Sequence, residues 1–182
     1  MLNATAGAGG RNVTAAMAYD LGDTSSPWPG HPRAKQPVGA RLAASLLATA
    51  YGRGDDIVHY GPTYAGAVAA PASSGGELTV NITFTPTSRG KNGNLALNTS
   101  VTCATGIRAQ ACEAFAVQTN DGVWHTTPVA SLTPDGTGLM LTVTGVTAGA
   151  TAVSTRGMFA DWPLAQLFNN EGFPAVPWLS AL

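Results

Sequence analysis

The stretch ELTVNITFTP, residues 77–86, constrains the fold of this chain more than any other. Its residues alternate without a break. Leu78, Val80, Ile82 and Phe84 fall on one side, and Thr79, Asn81, Thr83 and Thr85 on the other. A period of two with one apolar face predicts a half-buried strand. One strand cannot bury such a face alone. The sequence supplies partners in NLALNTSVT, FAVQTNDGVWHTT, GLMLTVTGV and TAVSTRGMF, separated by Gly, Asn and Asp turns. Asp121-Gly122 between two strand-like runs predicts a short hairpin. Short strands spaced roughly 10 residues apart predict a β-sandwich. Residues 61–182 are therefore read as a β-sandwich-like domain. The tail, with its prolines and tryptophans, reads as an ordered extended segment packed on a surface.

The first sixty residues follow a different pattern. VTAAMAYDLGD, residues 13–23, is a short apolar run ending in acids and Gly, and predicts a buried strand that opens into a loop. TSSPWPGHPR, residues 24–33, has three prolines and a Gly and cannot be regular structure. AKQPVGARLAASLLATAYG, residues 34–52, predicts a helix with Pro37 in its first turn and Gly52 as its stop. Val38, Leu42, Leu46 and Thr49 would form its apolar face, with Ala43 and Leu47 beside it. The expected class is α+β, mostly β, with residues 1–60 forming a separate piece. One strand and one helix do not complete a sheet, so an exposed apolar face is expected there.

Charge and composition narrow the function. Only 10% of the 182 residues are charged and the net charge is −1, which leaves no electrostatic footprint for nucleic acid or an anionic membrane. No apolar run reaches eighteen residues, so no membrane-spanning helix is expected. MLNATAGAGG lacks a basic region and an apolar core and does not read as a signal peptide. Four Asn-x-Ser/Thr sequons, at Asn3, Asn12, Asn81 and Asn98, nevertheless point to secretion and N-glycosylation. The two cysteines, Cys103 and Cys112, fit a local disulfide in an oxidising compartment or, failing that, two buried thiols. Without further ligands at suitable spacing they cannot close a tetrahedral metal site, and no cofactor is expected.

Catalytic chemistry has one candidate, His31, which local context alone reads more readily as a structural loop histidine between Gly30 and Pro32. His31 lies between a predicted strand and a predicted helix, where open α/β sheets place reactive groups. Asp20 and Asp23 stand upstream as acids that could orient its ring, cap the loop or bind a cation. Trp28 stands between them and the His. A general base also needs a nucleophile within reach. The sequence has no Gly-x-Ser-x-Gly block, and Ser25 and Ser26 share the loop with His31, too close to frame a carbonyl opposite an oxyanion hole. His59 and His125 read as structural rings.

The blocks MAYDLGD, GHPRAKQ, ARLAASLLATAYG and YGPTYAG, followed by TRGMFADWPLAQLFNNEGFPAVPW, resemble the sialate O-acetylesterases among the SGNH-type hydrolases. Residues 14–64 and 150–178 carry the resemblance, and LFNNEGFPAVPW is its longest specific part. Many such hydrolases have an acid two or three residues before the His, where this chain has Trp28 and Pro29. RGMFADWP also departs from the family's usual aromatic pattern after the Arg. The resemblance implies the last strand, His loop and helix of an SGNH domain, followed by a β-sandwich-like domain. It implies serine-nucleophile hydrolysis of O-acetyl esters on a sugar or sialic acid. His31 would be the general base, Asp23 (first choice) or Asp20 its orienting acid, and Trp28 either a wall of the substrate site or a hydrophobic anchor of the loop. It is similar to animal members in the placement of the cysteine pair. The family's serine and oxyanion blocks are not in this sequence, so the chain reads as the C-terminal part of such an enzyme, inactive by itself. The parent is expected to be extracellular or lysosomal. The rival reading is a non-catalytic β-sandwich that binds glycans or proteins through an aromatic platform, with Trp124 and Trp178 as candidates.

Overall fold

The computed structural model describes residues 14–22, 31–99, 113–126, 128–159 and 165–182. The chain divides into two compact units, Met1–Tyr60 and Gly61–Leu182. Among the described residues it is mixed α and β, with strands predominating and every sheet antiparallel.

In the first unit, helix α1 spans Lys35–Ala50. Pro37 lies in its first turn, and Gly52 follows its end with φ +67, a left-handed conformation that glycine adopts without a Cβ penalty. The segment expected to be a buried strand is different. Residues 14–18 form no strand, and Tyr19–Leu21 is a single 3₁₀ turn closed by the Leu21 amide donating to the Ala18 carbonyl. The physical reason is the lack of a ladder: every strand among the described residues begins at Tyr64 or later, and a lone strand has no partner for its backbone groups. Helix α1 is also rotated from its expected setting. It buries Ser45 and Ala48, with Arg41 one turn earlier nearly covered, while Leu42, Leu46 and Leu47 stay exposed. The expected exposed apolar face is present, on the leucine side.

The second unit begins with β1 (Tyr64–Ala69) and β2 (Glu77–Phe84), followed by β3 (Leu95–Leu97), β4 (Phe115–Thr119), β5 (Trp124–His125) and β6 (Val129–Leu132). Strands β7 (Gly138–Thr144), β8 (Ala152–Gly157), β9 (Leu167–Asn169) and β10 (Trp178–Ala181) complete it. One four-stranded sheet has the order β1-β2-β7-β6, a second β10-β8-β4-β5, and β3 pairs with β9. The alternation in ELTVNITF becomes burial: Leu78, Val80, Ile82 and Phe84 are inside, and Asn81 and Thr83 are exposed. Leu139, Leu141 and Val143 of β7 lie on the same buried face.

Trp178 links the two larger sheets. It belongs to β10, yet its ring stacks on Tyr64 of β1 (centroids 6.0 Å apart, planes at 20°) and meets Phe84 of β2 edge-on at 5.7 Å. Phe115 of β4 lies 6.0 Å away on its own sheet. A register shift between Tyr64 and Gly66 turns Tyr64 inward, because one extra residue reverses the facing of everything beyond it. Gly157 sits beside Trp178 in the register, and a Cβ there would lie 2.0 Å from the indole. The tail is thus a core element as well as a surface one. This corrects the reading of Trp178 as an exposed platform: at 6% exposure it has no free face for a ligand.

The turns follow one device used twice. In Thr119–Val123, the Thr119 hydroxyl donates to Asp121 Oδ1 (2.7 Å), which also accepts from the Val123 amide (3.1 Å). In Thr133–Gly138, the Thr133 hydroxyl donates to Asp135 Oδ1 (2.6 Å), and Asp135 also accepts from the Thr137 amide and hydroxyl. Each Asp precedes a glycine with positive φ, Gly122 and Gly136. The aspartate occupies backbone donors that the turn leaves unpaired, and the glycine supplies the left-handed residue.

Candidate active site

His31 is exposed and stands four residues ahead of helix α1. Asp23 and Trp28 lie outside the described residues, as do Asn3, Asn12, Cys103 and Cys112.

Asp20 has a defined partner. Arg41 Nη1 donates to Asp20 Oδ1 (2.6 Å) and Nη2 to Oδ2 (2.7 Å), a two-pronged pair. Arg41 Nη1 also donates to the Met17 carbonyl at 2.9 Å. The two side chains retain 11% and 8% of their exposure, so this is a covered ion pair rather than a surface one. It ties the turn that carries Asp20 to the middle of helix α1. A second tie joins the Thr14 and Ser45 hydroxyls one turn further along the helix. Beside the pair, burial pushes the Tyr19 phenol far above its ordinary value; the Asp20 carboxylate adds to this and Arg41 opposes it. Burial and the neighbouring carboxylate both favour the neutral phenol.

Sequence reasoning missed Arg41. The available signal was a lone cation inside an otherwise small and apolar helix segment, GARLAASLLA. It was hard to use because the leucines dominate the periodicity and point to the wrong face.

The other two histidines are held by local partners. His59 Nδ1 is 3.2 Å from the Ile57 carbonyl, and its ring meets Tyr60 edge-on. His125 Nε2 is 3.0 Å from the Thr119 hydroxyl in the hairpin. Among the described residues no cluster of three or more His, Cys, Asp or Glu side chains could hold a metal ion, and no helix is long and apolar enough to cross a membrane.

The C-terminal block is built around Asn169, which is buried. Its Nδ2 donates to the Ser88 carbonyl (3.2 Å), its Oδ1 accepts from the Phe173 amide (3.0 Å), and its own amide donates to the Phe173 carbonyl (3.1 Å). Ser88 continues the chain of bonds: its hydroxyl donates to the Thr85 carbonyl and accepts from the Thr63 amide. The Glu171 carboxylate accepts from the Lys91 amide at 2.9 Å and fills the space where Gly90 has no Cβ. Pro62 accepts from the Val176 amide, and a Cβ on Gly61 would lie 1.9 Å from the Pro174 carbonyl oxygen. The blocks YGPTYAG and LFNNEGFPAVPW, far apart in sequence, thus meet in space at Gly61–Pro174, Pro62–Val176 and Tyr64–Trp178.

Of the aromatic platform only Trp124 remains. It lies on β5 with the Arg156 guanidinium 4.7 Å from its ring centroid. Arg156 also faces Glu113 at 3.9 Å. Ala116, opposite Arg156 in the register, is completely buried. The guanidinium thus lies over one face of the indole.

No protein-family model, curated protein or solved structure matches the chain.

Proposed function

We propose that the chain is the C-terminal part of a carbohydrate O-acetylesterase of the sialate type, supplying the general base His31 to a serine that this sequence does not contain. The observation that carries the reading is the mutual packing of the two blocks behind the resemblance. YGPTYAG and LFNNEGFPAVPW contact one another through a glycine with no room for a Cβ, a backbone hydrogen bond and a stacked aromatic pair. The resemblance thus rests on residues that act together in this fold. Two features of the first unit support it. His31 is exposed at a helix entrance, and Leu42, Leu46 and Leu47 present an apolar face of the kind an α/β layer buries.

In this reading the serine hydroxyl attacks the acetyl carbonyl while His31 takes its proton. His31 then returns the proton to the departing sugar oxygen and later activates the water that frees acetate. Asp23 orients the imidazole. Asp20, with both oxygens engaged by Arg41, fixes the start of the loop that leads to the His. Trp28 lines the acetyl or sugar side. The domain from residue 61 onward is read as a β-sandwich whose layers meet at Trp178.

The test is esterase activity of the isolated chain on an aryl acetate. The expected result is no hydrolysis above buffer. Hydrolysis that disappears in His31→Ala would overturn the assignment of the nucleophile to another sequence.

A further inference from the structure

The outer face of the sheet β1-β2-β7-β6 has almost no charge. One row crosses all four strands as Val68, Asn81, Met140 and Ser131, and the next runs Thr79, Thr142 and Val129. Glu77, at one end of β2, is the sole acid or base on these strands. Two valines on this face are two-thirds exposed, Val68 at 67% and Val129 at 68%. A face that displays β-branched apolar residues without charges to blunt it is an association hazard. The sequence places a sequon, Asn81-Ile82-Thr83, in its middle.

The placement suits modification. Asn81 is exposed on β2, an interior strand, directly across from Val68 on one side and Met140 on the other. Thr83 is two residues on and so shares its face, also exposed, with its hydroxyl 3.2 Å from the Gly66 carbonyl. Ile82, between them, points into the core. The sequon at Asn98 follows the short strand β3 and ends on Ser100, outside the described residues.

We infer that Asn81 carries an N-linked glycan, and that this glycan covers the Val68–Val129 face of the sheet. The inference rests on the reading of the chain as secreted. In the transfer step the Asn81 amide nitrogen bonds to C1 of an oligosaccharide carried on a lipid pyrophosphate. The C1–oxygen bond to pyrophosphate breaks, the lipid pyrophosphate leaves, and the amide gives up one proton. Transfer takes place on the extended chain before folding, and folding leaves the glycan on the outer face because Asn81 points away from the core. The sugar then lies beside the two valines and Met140, where its apolar C–H faces cover them while its hydroxyls meet water.

The test expresses the chain behind a cleavable secretion signal in cultured eukaryotic cells and measures the intact mass of the secreted protein before and after peptide-N-glycosidase. The expected result is a glycan at Asn81, lost in Asn81→Gln and in Thr83→Ala and kept in Thr83→Ser. The second threonine variant keeps the result interpretable where Asn81→Gln fails to fold. Removing the glycan is expected to raise binding of a hydrophobic dye, and Val68→Thr with Val129→Thr to reverse the rise. A folded, secreted protein with Asn81 unmodified would overturn the site, and unchanged dye binding after deglycosylation would overturn the covering role. Because the added signal supplies entry to the secretory pathway, either failure is distinct from failure of the secretion reading, which is judged from the location of the natural protein in its own cells.

Discussion

Gly157 has no side chain where the Trp178 ring needs the space. A methyl group there would overlap the indole at 2.0 Å, so Gly157→Ala is expected to cost about 1–3 kcal/mol through overpacking. Trp178→Ala removes the ring that Tyr64, Phe84 and Phe115 share and is expected to cost about 3–5 kcal/mol. Denaturant unfolding of the chain and of each variant would measure both losses. Arg41 belongs at the same scale. Truncating it leaves the covered Asp20 carboxylate without its partner, and Arg41→Ala is expected to cost about 3–5 kcal/mol. The double change Asp20→Leu with Arg41→Met is expected to recover most of that loss, which a double-mutant cycle would measure. Asp135 gives a pH signature. The Thr133 hydroxyl first, then the Thr137 hydroxyl and amide, hold its carboxyl down at about 2. A carboxyl depressed in the folded state adds stability that is complete above its unfolded value, about 3.9, and is lost as pH falls toward about 2. Asp135→Asn is therefore expected to flatten the fall in melting temperature between pH 4 and pH 2, without changing its course above pH 5.

At the scale of elements, legibility followed the strength of the local pattern. The strand in ELTVNITF was readable because four apolar and four polar residues alternate with no exception. The β4–β5 hairpin was readable because Asp121-Gly122 has a geometric reason to be a turn. Strands β1, β6, β9 and β10 were not readable. YAGAVA and VASL are built from small residues whose faces differ little, and the last two sit among prolines. Helix α1 was legible in its extent and not in its facing. Its leucines set the periodicity, whereas a covered Arg41, a hydroxyl pair and Ala48 decide what it packs on, one residue or about 100° round. Among candidate site residues, His31 was singled out by its place ahead of a predicted helix, and that helix is present. The partner that Arg41 gives Asp20 was not foreseen, because an i to i+21 contact leaves no trace in local spacing. Leu42, Leu46 and Leu47 are exposed on this helix, so replacing all three by Gln is expected to leave the unfolding free energy of the chain within about 0.5 kcal/mol per site.

The whole molecule has two units with different characters. Gly61–Leu182 has its own buried core, its own paired sheets and a C-terminal block that returns to its first strand. Among its described residues, Met1–Tyr60 offers a helix, a 3₁₀ turn, a covered ion pair and an exposed histidine. The proposed role follows from that contrast: a finished β domain joined to a piece of a catalytic layer that brings a base and no nucleophile. The direct measurement is acetate release from an O-acetylated sugar by the chain joined to the serine-bearing portion of a carbohydrate O-acetylesterase, with and without His31→Ala. The account expects the joined protein to be active, the chain alone to be inactive, and the His31→Ala form to lose about 10²–10⁴-fold in rate. A joined protein whose activity is unchanged by His31→Ala would contradict it.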